Sequence, residues 1–291
     1  MSFHANHSVL RASARIAALG LALLAGLAGR AQTVVYQNFA STSGLEINGD
    51  AAVFMAGDTQ VLRLAPAEAY QAGTLFTETR LNVTGFSTVF EFRITDRNGI
   101  SDGSRNGADG LTFILQNESK TAVGNSGSGL GYQGISPSVA VEFDTFFNNG
   151  LDPTIGNGGS NHVGLNTGGS VTSSFTAPVA TNMDDGNKWT VWVDYNGSIL
   201  EVRMSIDGLR PSTAILSQEI NIPSVVDGST AYIGFSAGTG GAHTNHDLLS
   251  WAYSPSYVVG GISAVPEPGT VALLGLGGLM LLGARRFRRA R

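Results

Sequence analysis

The sequence predicts an all-β fold: a two-sheet antiparallel sandwich of the jelly-roll kind. Three observations predict it. Apolar and polar residues alternate over windows of five to seven residues, the connections are crowded with Gly, Asn, Ser and Thr, and no window between residues 32 and 265 carries a long helical period. Composition agrees, with 39 Gly, 13% charged and 42% hydrophobic residues, which excludes a helical bundle, a coiled coil or a charge-rich disordered chain. No repeat of fixed period is visible, so a propeller or solenoid does not fit. Cysteine is absent, which removes disulfides, thiolate metal sites and Cys nucleophiles together.

In chain order, residues 1–31 read as a secretory signal peptide. Arg11 and Arg15 precede an apolar core at 16–27, and Ala28-Gly29-Arg30-Ala31 supplies small residues for cleavage. The domain is then expected over 32–258. Phe90, Phe92 and Ile94 form one face of a strand, opposite Glu91 and Arg93. Residues 111–115 are apolar apart from Thr112, as in a strand buried on both faces. Val139, Val141 and Phe143 alternate with Ala140, Glu142 and Asp144. Trp189, Val191, Val193 and Tyr195 lead into Asn196-Gly197, which suits a type I′ turn, and Leu200, Val202 and Met204 return inward. Residues 231–236 and 249–253 supply two later strands. The tail, 259–291, runs through a linker and Pro266-Glu267-Pro268, then an apolar stretch at about 271–282, then Arg285, Arg286, Arg288, Arg289 and Arg291.

Charge is segregated. Between Gln32 and Val265 lie 21 acids against nine bases, a net of −12. Such a domain is not expected to bind nucleic acid, whose phosphates need a basic footprint. Carboxylate clusters that take cations become the better candidates.

The stretch that carries such chemistry runs from Glu142 to His162. Glu142 and Asp144 are two apart on a strand, so both carboxylates project from one face. Like charges held so close need a cation or a shared proton. Downstream, the Phe146 carbonyl, the Asn148 amide and the Asp152 carboxylate offer hard oxygens suited to Ca²⁺. His162 adds an imidazole, which beside carboxylates suits a transition ion such as Mn²⁺. On the chemistry alone, a two-ion loop and a solvated acidic turn both fit.

The same stretch resembles the metal loop of the legume (L-type, concanavalin-like) lectins: Glu-x-Asp-Thr-Phe-x-Asn, then Asp-Pro, then His-Val-Gly, all present in order from Glu142 to Gly164. The resemblance implies that Glu142 and His162 bind the transition ion, that Asp144 and Asp152 bridge both ions, and that Phe146 and Asn148 bind Ca²⁺. One departure is a longer, Gly-rich segment at 154–161. Three other segments are similar to the family. Ala108-Asp109-Gly110-Leu111-Thr112-Phe113 matches a strand in which a cis peptide precedes a sugar-binding Asp, and Ser128-Gly129-Leu130-Gly131 matches a loop that gives the sugar a backbone N–H. Residues 234–251 match the late strands and the specificity loop between them. The implied sugar site is Asp109, Gly129, Phe146 and Asn148, with 238–245 as its wall and Gly241 and Ala242 at the tip.

The tail resembles the PEP-CTERM sorting signal of Gram-negative bacteria, with motif, apolar run and Arg cluster in order. That implies export to the cell surface or medium and processing by a membrane protease of the exosortase type. Membrane contact is expected only through this tail, as a transient transmembrane anchor, although its run is short of the roughly 20 residues a spanning helix needs. The expected function is binding of exopolysaccharide or cell-surface glycan, with no enzymatic activity. Two alternatives stand beside it. One is a structural matrix or surface protein that keeps the fold without binding sugar. The other is a glycan hydrolase resembling laminarinases, whose retaining chemistry needs a second carboxylate about 5–5.5 Å from the first; Phe146 and Phe147 stand where that residue would be, and no Glu follows until Glu201.

Overall fold

Sixteen strands form two antiparallel sheets in the computed structural model, which describes residues 34–154 and 159–264. In chain order they are β1 (Val34–Tyr36), β2 (Leu45–Gly49), β3 (Ala52–Ala56), β4 (Thr59–Ala65), β5 (Ala72–Thr77), β6 (Leu81–Asn82), β7 (Phe86–Gly99) and β8 (Gly110–Gln116). Then follow β9 (Ser138–Asp144), β10 (His162–Thr167), β11 (Phe175–Pro178), β12 (Trp189–Tyr195), β13 (Ile199–Ser205), β14 (Leu216–Glu219), β15 (Thr230–Gly238) and β16 (Ala242–Ser254). The first sheet has the order β14-β13-β12-β7-β16-β4-β3, with β1 also paired to β16. The second has the order β11-β10-β9-β8-β15-β5-β2, with β6 also paired to β15. The described helices are one turn at Ile222–Val225 and a 3₁₀ turn at Gly127–Gly129. The two-sheet antiparallel sandwich expected from the alternation is what forms.

Between the sheets the core is aromatic. Phe90 of β7 meets Phe235 at 4.9 Å, Phe143 at 5.8 Å and Phe113 at 6.0 Å between ring centroids, and Phe235 meets Trp251 edge-on at 5.2 Å. Pairs of this kind add about 0.5–1.5 kcal/mol each beyond their buried area. The period of two then decides where the chemistry goes. Phe143 points into the core, so Glu142 and Asp144 must point out of the second sheet. That outer face is itself covered. Ile114 and Ala140 pack there with Leu130, Tyr132 and Ile135 from the connection between β8 and β9, which is why β8 is buried along its whole length.

The hairpin at β12–β13 forms with a different turn from the one expected. Register pairs Tyr195 with Leu200, and the Asn196 N–H donates to the Ile199 carbonyl at 3.2 Å. The central residues are therefore Gly197 and Ser198, and only Gly197 has positive φ (99°), whereas a type I′ turn needs it at both. Asn196 instead accepts the Ser198 and Ile199 N–H groups on its side-chain oxygen, at 3.0 and 2.8 Å.

Two expectations concern the ends. The signal peptide at 1–31 lies outside the described residues. The transmembrane expectation is corrected. Among the described residues no helix is long and apolar enough to cross a membrane. The run that prompted it, 271–282, lies outside the described residues and falls short of a spanning length. Residues 259–264, expected as the start of a linker, lie on the outer face of the first sheet. There the Trp192 indole N–H donates to the Ile262 carbonyl at 3.1 Å, and Ile262 and Ala264 pack on Val89, Trp192 and Ala252.

Candidate functional site

Three neighbouring strands assemble the site. Asp144 at the end of β9 stands opposite Gly110 on β8 and His162 on β10, and Glu142 stands opposite Thr112 and Gly164. Gly164 leaves room for a carboxylate: a Cβ there would collide with Glu142 Oε1 and Ser173 Oγ. Glu142 is buried and oriented on both oxygens. Tyr132 Oη donates to Oε2 at 2.9 Å, and the Ser173 hydroxyl donates to Oε1. Tyr132 in turn accepts the Asn166 side-chain N–H at 2.7 Å.

His162 closes the far side. Its Nδ1 lies 2.8 Å from the Gly159 carbonyl, which can only accept, so the network assigns the proton to Nδ1. Nε2 then turns its lone pair inward, 3.4 Å from Glu142 Oε1, buried and without a hydrogen bond. An outer carbonyl fixing one ring nitrogen while the other faces carboxylates is the arrangement of a metal-ligating histidine. Burial pulls the His162 pKa down, but Glu142, the Gly159 carbonyl and Asp152 together push it up, and the net shift is upward.

Asp144, Asp152 and His162 each bring a ligand atom within 4.8 Å of the others. Burial, then Asp152 and Glu142, push the Asp144 carboxyl far above its ordinary range. Burial also raises Asp152, to about 6, against the pull of the Asn148 amide and His162. Crowded, desolvated carboxylates around an unpaired imidazole nitrogen fit a divalent cation, which would neutralise them. Phe146 and Asn148 lie on the loop between. The Phe146 N–H donates to Asp144 Oδ1 at 2.8 Å and the Asn148 N–H to Asp152 Oδ2, while the Asn148 carbonyl accepts the Leu151 and Asp152 amides at 3.0 and 3.1 Å. The Phe146 ring is 9% exposed and packs on Ala108 and Ala242.

Asp109 sits beside this loop, after a cis Ala108–Asp109 peptide. Its backbone is tied on both sides: its N–H donates to the Gly238 carbonyl at 3.0 Å and its carbonyl accepts the Thr145 N–H at 2.9 Å. The Thr244 hydroxyl donates to the Ala108 carbonyl at 2.9 Å. Gly110 follows at φ 136°, where a Cβ would strike the Phe143 carbonyl. Asp109 is 3% exposed and its Oδ2 has no hydrogen-bond partner. Burial first, then the Asp152 charge, raise it to about 7.

The remaining sugar-site residues stand differently from the expectation. The Gly129 N–H donates to the Ser126 carbonyl at 3.1 Å, and it is Gly127 that lies near Asp109 Oδ2. The segment expected as a wall is mostly strand. Residues 239–241 alone connect β15 to β16, and Ala242 already pairs with Gly99 on β7.

Two loops at the site carry no motif and were not anticipated. In the β7–β8 connection, Asp102 Oδ2 accepts the Phe147 N–H at 3.1 Å, and Arg105 donates to the Ser160 carbonyl at 2.8 Å while pairing with buried Asp184 at 3.3 Å. These contacts reach Phe147 and Ser160, on the two legs of the connection between β9 and β10. In the β4–β5 connection, Gln71 and Glu68 grip Thr239: the Gln71 N–H donates to Thr239 Oγ1 at 2.9 Å, and the Thr239 hydroxyl donates to the Glu68 carbonyl at 2.5 Å.

Comparison with known proteins bears on this geometry. The legume lectin domain family matches residues 31–263, and the PEP-CTERM protein-sorting motif, which marks exported proteins, matches 264–289. The L-type lectin-domain containing receptor kinase VIII.1 of Arabidopsis thaliana is 33% identical over 230 residues, which is 75% of this chain and 30% of that protein. The chain spans about a third of the length of such receptor kinases, which are kinases through other domains. Favin of Vicia faba is 33% identical over 179 residues, 59% of this chain and 71% of that protein. Among solved structures, basic winged bean lectin with Tn-antigen has a TM-score of 0.60 at 26% identity, covering 77% of this chain and 98% of that one. The Lotus tetragonolobus seed lectin reaches 0.63 at 26% identity, covering 77% and 97%. The chain therefore belongs to the legume lectin family, its lectin domain followed by a PEP-CTERM sorting motif.

Proposed function

We propose that this chain is an exported, non-enzymatic carbohydrate-binding protein whose sugar site is ordered by Ca²⁺ and a transition ion such as Mn²⁺. Glu142, Asp144, Asp152 and His162 would hold the transition ion. Asp144 and Asp152, shared between the two ions, would hold Ca²⁺ with the Phe146 carbonyl and Asn148. The ions would supply positive charge to a buried carboxylate cluster and so fix the loop before sugar arrives, which lowers the ordering cost of binding. Asp109 and Asn148 would take sugar hydroxyls, and Phe146 would stack on the sugar's apolar face.

One observation carries this reading. The unpaired Asp109 Oδ2, just before β8, and the unpaired His162 Nε2, on β10, are buried on either side of β9, and the Thr145 N–H donates to the Asp109 carbonyl at 2.9 Å, joining the sugar side to the ion side. A buried polar atom without a partner is costly unless a ligand satisfies it. The sorting motif supports an extracellular target, exopolysaccharide or a cell-surface glycan of a Gram-negative bacterium, and processing of the tail by an exosortase-type protease. A glycan array probed with the protein in Ca²⁺ plus Mn²⁺, and again in EDTA, tests the reading. Binding lost in EDTA supports it. Binding that survives removes the role of the ions, and silence in both conditions removes the sugar.

A further inference from the structure

The link between β15 and β16 is too short to make a wall, and two other loops bracket it. The Tyr70 N–H donates to the Gly240 carbonyl at 3.3 Å, and the Ile100 N–H donates to the Gly241 carbonyl at 3.2 Å. Consecutive carbonyls of one glycine pair thus carry two large apolar residues, 73% and 61% exposed. Ile100 lies over Gly241, since a Cβ there would meet its Cδ1 at 3.2 Å. The inner side of Gly240 faces Asp109: a Cβ there would lie 3.4 Å from Oδ2. Residues 239–241 extend over at most about 10 Å, so both side chains stand close to the carboxylate proposed to hold the first sugar.

Tyr70 is held in place. Its φ is 61°, in the left-handed region that a bulky residue rarely enters. Its loop is fixed by the Thr239 N–H to the Gln71 carbonyl at 2.9 Å, the Gln71 N–H to Thr239 Oγ1 at 2.9 Å and the Ala67 N–H to Asn245 Oδ1 at 2.7 Å. An exposed ring on a braced loop in a disfavoured backbone state costs stability and gives the core nothing, and such positions cluster at binding sites. The occupant must be flat and apolar on one face and hydroxylated at its rim, because the patch is open to water. A pyranose ring has that character, and the buried, unpaired Asp109 Oδ2 beside Gly240 indicates which molecule brings it.

We infer that Tyr70 and Ile100 form a second sugar subsite, with Tyr70 as its stacking platform, which takes the pyranose unit adjoining the one held at Asp109. The inference deepens the proposed function and rests on it: the protein reads a chain of sugars rather than a single residue. The glycine floor of Gly240 and Gly241 lets the oligosaccharide lie down between the two walls.

The test uses the full-length protein with Ca²⁺ and Mn²⁺. Galactose, N-acetylgalactosamine, glucose and mannose are compared with di- to tetrasaccharides ending in each. The expected result is an oligosaccharide preference of about tenfold or more, reduced to threefold or less by Tyr70→Ala and Tyr70→Gly and kept by Tyr70→Phe. Tyr70→Gly is the informative variant, because glycine tolerates the φ of this position. Its melting temperature should not fall although its preference does, which a merely structural tyrosine would not show. An undiminished preference in Tyr70→Gly overturns the subsite, as does a wild type with no preference for oligosaccharides. A wild-type dimer that Tyr70→Gly dissociates also overturns it, making the patch a contact between copies. Absence of binding to every sugar fails the parent reading instead.

Discussion

The Phe147 amide donates to the Asp102 carboxylate at 3.1 Å, tying the β7–β8 connection to the loop proposed to hold the ions, between Phe146 and Asn148. Asp102 Oδ1 meanwhile accepts from Ser104 N and Arg105 N at 2.8 and 3.1 Å. These bonds outweigh the effect of burial, and the Asp102 carboxyl is held below its ordinary range. The loop is therefore braced by protein as well as by any ion.

Asp102→Ala should loosen that brace. The expected effect is a calcium affinity lowered about tenfold, near the 1.5 kcal/mol lower end for a hydrogen bond to a charged group. Calorimetric titration of the EDTA-stripped protein with Ca²⁺ checks it. Unchanged affinity would show that the ions alone order the loop.

His162→Ala should separate the two ions. The imidazole is buried, its Nε2 faces Glu142, and its Nδ1 is held by Gly159. Loss of an oriented nitrogen ligand should lower Mn²⁺ affinity about 10–100-fold, the range seen when ligand support is removed, and change Ca²⁺ affinity much less. Metal analysis after dialysis against both ions reads the ratio.

Asp109→Asn should weaken sugar binding and strengthen the fold. Burial raises Asp109 to about 7 from the ordinary 3.8, so ionising it at pH 8 opposes folding. Replacing it with a neutral isostere removes that penalty, and the melting temperature in EDTA at pH 8 should rise. Sugar affinity should fall by a factor of about 100, as for a lost bond to a charged acceptor. A lower melting temperature with sugar binding intact would place Asp109 in the scaffold instead.

The pH dependence of the ion-free protein follows from the same groups. Asp109 and Asp152 titrate at about 7 and about 6 when folded, against 3.8 ordinarily, and Asp144 and His162 are also raised. The folded state thus binds more protons than the unfolded one, so stability in EDTA should rise as pH falls from 8 through 7 towards 6. His246 acts oppositely. Burial, then Arg63, lower it to about 3 from 6.5, so its contribution is lost as the unfolded chain takes up protons below 6.5. Below pH 6 His246 opposes the three raised carboxylates, so stability in EDTA should go on rising more gently, and the stabilisation by added Ca²⁺ should be largest at pH 8. A calcium effect that grows towards pH 6 would contradict the assignment.

The sequence made some of this legible and hid the rest for physical reasons. The clustering of Glu142, Asp144 and His162 was legible because strict alternation on β9 sends Phe143 inward and both carboxylates outward, beside the start of β10. Asp109 was singled out only by the resemblance of its Ala-Asp-Gly stretch; Gly110 beside it leaves room for the Phe143 carbonyl of β9. Strands β2 to β6 gave no signal: β3 is solvent-exposed at a sheet edge, and β6 is two residues long. The braces on the ion loop, Asp102 and Arg105, lie about 45 and 55 residues from Phe147 and Ser160. Tyr70 reaches Gly240 from still further along the chain. No local pattern announces such contacts. Of the glycine loop expected at the sugar, Gly127 lies nearer Asp109 and the Gly129 N–H is used within the turn; both belong to one Gly-Ser-Gly stretch.

The most direct measurement is a crystal structure of the protein grown with Ca²⁺, Mn²⁺ and the sugar that gives the strongest array signal, with anomalous data collected at the manganese edge. The account predicts a manganese peak among Glu142, Asp144, Asp152 and His162, a calcium beside Asn148, and a sugar hydroxyl within hydrogen-bonding distance of Asp109 Oδ2. A sugar bound elsewhere, or bound at Asp109 with no ion in the loop, would contradict it.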